Sequence, residues 1–193
     1  MHDVTARLPF DTSPQRARLT AREFWLLADA GAFRDFVKTE LIEGEIFVVN
    51  SVHSRHARAH AALTVELGMA LRELGSDLVL LSTPSTVLSD DSIPEPDISL
   101  ARVAEGKAVA GSETMLAVEI SDSSLDFDLG RKQRLYARHG IPEYWVADVQ
   151  QRRLVRMWSP RDEAYASSET HAFGGRVKSA TIPGLAVDTA ALF

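Results

Sequence analysis

Five apolar segments of strand length follow one another between residues 77 and 159: DLVLLS, PDISLARV, MLAVEIS, EYWVAD and RRLVRMWS. Each is too short for a core helix and rich in β-branched, aromatic or leucine side chains, so the chain must pair them into a sheet. Helices have to cover that sheet. The spacing of Leu63, Leu67, Leu71 and Leu74, with Gly75 where a C-cap belongs, predicts a long amphipathic helix from about Ser54 to Leu74. A further helix is expected near residues 129–139, between the third and fourth strand segments. Upstream, TAREFWLLADA opens with Thr20 and Glu23 spaced as a capping box ahead of Phe24, Trp25 and Leu27. ELIEGEIFVV reads as two strand halves around Glu43-Gly44, a hairpin signal. Strands and helices mixed in this order imply an α/β layering.

Composition narrows the setting. The 193 residues suit one domain, read here as residues 20–193 behind an N-terminal arm at residues 1–19. No apolar run approaches a bilayer span and MHDVTARLPF lacks the apolar stretch of a secretory signal, so no membrane association and a cytoplasmic location are expected. With no cysteine, a metal would have to be held by oxygen or imidazole, which favours hard cations. The formal charge of −6 offers nucleic acid no global attraction and leaves binding to a local basic face.

The informative residues are polar ones at strand ends. In IPEPDISLARV, Asp97 follows Pro96 and enters its strand extended. Glu119 lies near the end of MLAVEIS, the next strand segment. Neighbouring strands run about 4.8 Å apart, so carboxylates at matching levels can grip one cation. On the helix that follows, Leu129, Lys132, Tyr136 and His139 are spaced three, four and three apart, which turns Lys132 toward the sheet with apolar neighbours. An inward lysine needs a negative partner, and Asp97 with Glu119 supplies one. Arg131, Arg134 and Arg138 fall on the other side, as a solvated or phosphate-facing surface. His53, His56 and His60 share one helical face, a geometry open to a zinc or nickel site or to an exposed basic end with Arg55 and Arg58. Asp126 or Asp128 in DFDLG reads as the cap of the coming helix. No nucleophile elbow or P-loop motif occurs, which removes serine hydrolase and P-loop chemistry.

PDISL, LAVEISDSSLDFDLGRKQRLYARHGIPEYWVAD and the closing IPGLAVDTAALF resemble the Uma-two family of restriction-endonuclease-like proteins, a branch of the PD-(D/E)XK nuclease superfamily. The likeness runs from LTAREF to the C-terminus, and YARHGIPEYWVAD is its most specific block. It implies a three-layer α/β/α core with a mixed central sheet and a site for Mg²⁺ or Mn²⁺, carried onto Asp97 and Glu119, with Glu43 as a further acidic ligand. The superfamily pattern has a lysine two residues after the acid, where this chain has Ser121, so the resemblance shifts the lysine to Lys132. The implied activity is metal-dependent endonucleolytic cleavage, of DNA before RNA. The catalytic set would be Asp97, Glu119 and Lys132. A homodimer suits two cuts in a duplex. The alternative is a catalytically silent nuclease-fold module that binds nucleic acid or protein, favoured by Ser121 and the acidic balance.

Overall fold

The computed structural model describes residues 16–51, 53–103 and 108–192. Most of the arm anticipated at residues 1–19 therefore lies outside the described residues. Helix α1 (Ala21–Asp29) starts as its capping box dictates: Glu23 N donates to Thr20 Oγ1 at 3.3 Å and Thr20 N to Glu23 Oε2 at 2.8 Å. Of its apolar residues only Phe24 is buried, against Leu41 and Ile93, while Leu27 stays partly exposed. Strands β1 (Lys38–Ile42) and β2 (Glu45–Val49) form the hairpin expected at Glu43-Gly44. Both turn residues have positive φ, 52° and 78°, as a two-residue hairpin turn of primed type requires.

Helix α2 (Ser54–Leu74) ends on Gly75 in the left-handed conformation, and buries Leu63, Leu67 and Leu71 but not Leu74. Then come β3 (Val79–Ser82), a short β4 (Thr86–Val87), β5 (Ile98–Ala101), a short β6 (Val109–Ala110) and β7 (Thr114–Ser121). The connection to β8 (Glu143–Asp148) is helical in three parts: α3 (Leu125–Phe127), a π-helical turn (Asp128–Lys132) and α4 (Gln133–Arg138). It begins earlier than the spacing predicts, and the π-turn adds a residue to the coil at Lys132. The chain closes with β9 (Arg153–Arg161), β10 (Ala164–Ala172) and a hairpin of β11 (Arg176–Lys178) and β12 (Ala186–Asp188). β10 escapes sequence reading because AYASSETHA is mostly polar, an edge strand with a largely exposed surface.

The main sheet has the order β10-β9-β8-β7-β5-β3, antiparallel except for the parallel pair β7–β8 that the helical connection joins. The pleat sorts β7 by alternation. Leu116, Val118 and Ile120 join the core shared with α2 and the β11–β12 hairpin, while Ala117 joins the opposite core with Tyr136, Tyr144 and Val146. Glu119 shares the face of Ala117, and so looks toward the helical connection. Central β8 is buried on both sides, with Trp145 and Ala147 in one core and Tyr144 and Val146 in the other. No helix among the described residues is long and apolar enough to cross a membrane.

Candidate functional site

Asp97 and Glu119 come together by strand register. Ile98 pairs with Val118 in the antiparallel β5–β7 ladder, so the residue before Ile98 stands opposite the residue after Val118. Asp97 Oδ2 also accepts a hydrogen bond from the backbone N–H of Ile120 at 2.8 Å, tying its carboxylate directly to β7. Both histidines of α2 hold Asp97 from the other side. His56 Nε2 lies 3.1 Å from Asp97 Oδ2, and His60 Nε2 lies 3.0 Å from the Asp97 carbonyl and 3.2 Å from Ser82 Oγ. The histidine face of α2 thus serves the aspartate, and no cluster of three or more metal-ligating side chains occurs among the described residues.

Lys132 turns inward, and 2% of its surface is exposed. Its Nζ lies 2.8 Å from Glu119 Oε1 and 2.9 Å from Glu40 Oε1. Tyr136, one turn on, donates its hydroxyl to the same Glu119 oxygen at 3.0 Å. The π-turn presents Lys132 here, and such bulges recur at functional sites because they re-aim one side chain out of helical register. Ser121, at the position of the strand lysine in the superfamily pattern, is buried with its hydroxyl 3.4 Å from Ser124 Oγ.

Several site members had no place in the sequence reading. Lys38 and Glu40 stand two apart on β1 and project the same way, Glu40 accepting from the Glu95 N–H at 2.7 Å. A polar pair at strand period was the available signal. Asp128, read as a candidate cap, is instead buried in the site and accepts from Ser124 Oγ at 2.5 Å. Glu43 is brought elsewhere. Located in the turn beyond Glu40, it is engaged by Arg131 Nε at 2.9 Å and Arg138 Nη1 at 3.0 Å, and it does not line the cavity with Asp97 and Glu119. Arg131 and Arg138 are accordingly engaged, while Arg134 stays on the exposed surface; Arg131 also bonds Glu45 at 2.7 Å and the Ile42 carbonyl at 3.2 Å, bracing the β1–β2 hairpin against the helical connection.

The acids open into a cavity of about 400 Å³. Its floor is polar, with Asp97, Glu119, Lys132 and Asp128, and its walls are apolar, with Val37, Phe47, Val49 and Phe127. Burial pushes the Asp97 carboxyl up, but the Lys38 charge and the His56 hydrogen bond outweigh it and hold the group well below the usual carboxylate range. Glu40 is likewise lowered, burial being overcome by Lys132 and Lys38. Glu119 goes the other way: burial pushes it up to about 7 against the pull of Lys132 and Lys38. Lys132 stays charged, because Glu119 and Glu40 more than offset its burial.

The donor set bears on the cation that the resemblance implies. Asp97 Oδ2 and Glu119 Oε1 are taken up by protein donors, whereas Asp97 Oδ1 and Glu119 Oε2 converge on one ammonium, that of Lys38, at 3.2 and 3.7 Å. Two hard oxygens meeting at one positive centre fit a cation that keeps most of its waters, as Mg²⁺ does, and do not form an all-protein cage.

A mixed six-stranded sheet with helices on its faces and an acidic pair at the ends of adjacent strands is a restriction-endonuclease-like arrangement. The chain belongs to the Uma2 family, described as "Putative restriction endonuclease", whose sequence model matches residues 23–190. Among solved structures it is similar in fold to a "putative nuclease belonging to DUF820" from Anabaena variabilis, with a TM-score of 0.62 and 13% identity over 80% of this chain and 89% of that one. No curated protein matches the sequence.

Proposed function

We propose that this protein is a divalent-metal-dependent nuclease that hydrolyses phosphodiester bonds, of DNA before RNA, at the Asp97–Glu119 site. The observation that carries this reading is the convergence of Asp97 Oδ1 and Glu119 Oε2 on a single cationic centre in an open cavity. Family membership supports it. Asp97 and Glu119 would hold Mg²⁺ or Mn²⁺, which when bound polarises a phosphodiester and makes water a better nucleophile. His56, His60 and the Ile120 N–H fix Asp97, and Lys132 with Tyr136 fixes Glu119, so both carboxylates are set before substrate arrives. Lys132 lines the cavity and places a permanent positive charge where negative charge builds on the phosphate. Hydrolysis adds water across one P–O bond, leaving a phosphate monoester and a hydroxyl. The substrate reaches the acids past Val37, Phe47 and Phe127, apolar surfaces suited to the faces of bases.

Ser121 in the place of a strand lysine favours a second reading, a nuclease-fold module that binds nucleic acid without cutting it. One experiment separates them. Mn²⁺ is titrated calorimetrically into the parent, Asp97→Asn and Glu119→Gln proteins, and each is then incubated with plasmid and single-stranded DNA in Mg²⁺ or Mn²⁺. The parent should bind the ion and nick DNA, and either variant should lose on the order of 10²-fold or more of the cleavage. A parent that takes up no Mn²⁺ and leaves both DNAs intact sinks the nuclease reading in favour of the binding module.

A further inference from the structure

The two lysines of the site are held differently. Lys132 sits on the helical connection with its side chain 3% exposed and two short contacts, 2.8 and 2.9 Å, to Glu119 and Glu40. Lys38 is the first residue of β1, next to exposed Val37, and its side chain is 12% exposed. Only one of its contacts is within hydrogen-bond reach, Asp97 Oδ1 at 3.2 Å; Glu119 Oε2 and Glu40 Oε1 lie at 3.7 and 3.9 Å. Its Nζ is nevertheless the group that lies near both Asp97 Oδ1 and Glu119 Oε2.

Resting on the nuclease reading, we infer that Lys38 is the resident cation of the metal site: its ammonium holds the position of the divalent ion, and loading the site expels it into the cavity mouth. The charges require something of this kind. Asp97, Glu119, Glu40 and Asp128 bring four carboxylates into one buried cluster, and Lys132 is committed to two of them. Without Lys38, Asp97 Oδ1 and Glu119 Oε2 would face each other with no cation between them, since His56, the Ile120 N–H and Lys132 hold the other oxygen of each acid. Lys38 supplies it through one contact within hydrogen-bond reach and two longer ones. A divalent ion at the same place satisfies the same oxygens with twice the charge, and the ammonium can then follow it out. Its four-carbon stem lets the head reach solvent from β1 without moving the strand, a freedom that buried Lys132 lacks. An expelled Lys38 would stand at the mouth through which a phosphodiester enters. The site thus neutralises itself when the metal is scarce, and its metal affinity is lowered by the competition.

The test is metal binding, measured apart from cleavage. Lys38→Met keeps the stem and removes the charge, so Mn²⁺ should bind on the order of 10-fold tighter or better than to the parent, by calorimetry at fixed pH and salt. The metal-free variant should melt lower than the parent, and Mn²⁺ should raise its melting temperature by more. Tight binding by the variant alone supports Lys38 as the resident cation and overturns the nuclease reading of the parent. A folded Lys38→Met protein that binds Mn²⁺ no better than a binding-competent parent overturns the inference and leaves the nuclease reading intact; no binding by either protein overturns both. Should the variant fail to fold, the parent itself decides. The chain has four lysines, Lys38, Lys107, Lys132 and Lys178, so their ¹⁵N side-chain signals can be assigned individually. Saturating Mg²⁺ should erase the protected ammonium signal of Lys38 and leave that of Lys132. Persistence of both with Mg²⁺ bound refutes the displacement.

Discussion

Glu40 and Glu43 stand three apart in one ELIEGE segment, and Lys132 and Arg131 are neighbours on one helical turn, yet the two resulting ion pairs occupy different media. Glu40–Lys132 closes at 2.9 Å with side chains 5% and 3% exposed; Glu43–Arg131 closes at the same 2.9 Å with 25% and 23% exposed. Distance does not separate them. Water does. Around the inner pair neither charge can be resolvated if its partner leaves, whereas at the outer pair solvent and the remaining partners can take up the lost interaction. Burial and convergence therefore set the candidate-site residues apart, and the outer acid that resemblance singles out, Glu43, is engaged in a brace nearer the surface.

The largest expected effect breaks the inner pair. Lys132→Met leaves Glu119 and Glu40 buried without their shortest counter-charge, and should cost about 3–5 kcal/mol of folding free energy by denaturant titration. That loss should be insensitive to added salt. It also means that an activity loss in this variant counts as catalytic only if the protein is shown folded under the assay conditions. A loss under about 1 kcal/mol would show that the inner pair is as hydrated as the outer one, and the contrast would vanish.

Arg131→Met tests the outer pair. It removes contacts to Glu43 and Glu45, a bond to the Ile42 carbonyl and a cation–π contact with Phe47. The expected loss is about 1 kcal/mol, shrinking as salt rises from 0.05 to 0.5 M, a range chosen to span the Debye length (about 10 Å at 0.1 M). Mn²⁺ affinity should not change. A tenfold fall in affinity would place the brace within the functional site after all.

The smallest effect is that of pH on the same brace. Burial nudges Glu43 up, but the bonds from Arg138 and Arg131 prevail and its folded pKa lies below the ordinary 4.5. Its contribution is then fully present above pH 4.5 and is lost as pH falls through the lowered folded value. Solvent screening keeps it below about 1 kcal/mol. The stability difference between the parent and Glu43→Gln should thus be constant from pH 7 to 5 and close toward zero below that; a difference that widens on acidification reverses the sign and the assignment.

Much of this molecule was legible in its order of residues. Apolar runs located β3, β5, β7, β8 and β9, leucine spacing and Gly75 bounded α2, and the Thr20–Glu23 box began α1, because each rests on contacts within a turn or along one strand. Asp97 and Glu119 were also legible, since a polar residue on a strand whose alternate side chains are apolar must find a partner on that face. Lys132 was readable as an inward lysine from its helical spacing. What only the tertiary structure decided is the company these residues keep. Glu40 rather than Glu43 reaches Lys132, Lys38 bridges the two acids, His56 and His60 brace Asp97, and Asp128 lies buried instead of capping. The hairpin, the long helix and the helical connection that carry them are far apart along the chain, and their meeting is set by how three cores pack at once. Local spacing encodes which way a side chain points; what it points at depends on where the other elements dock.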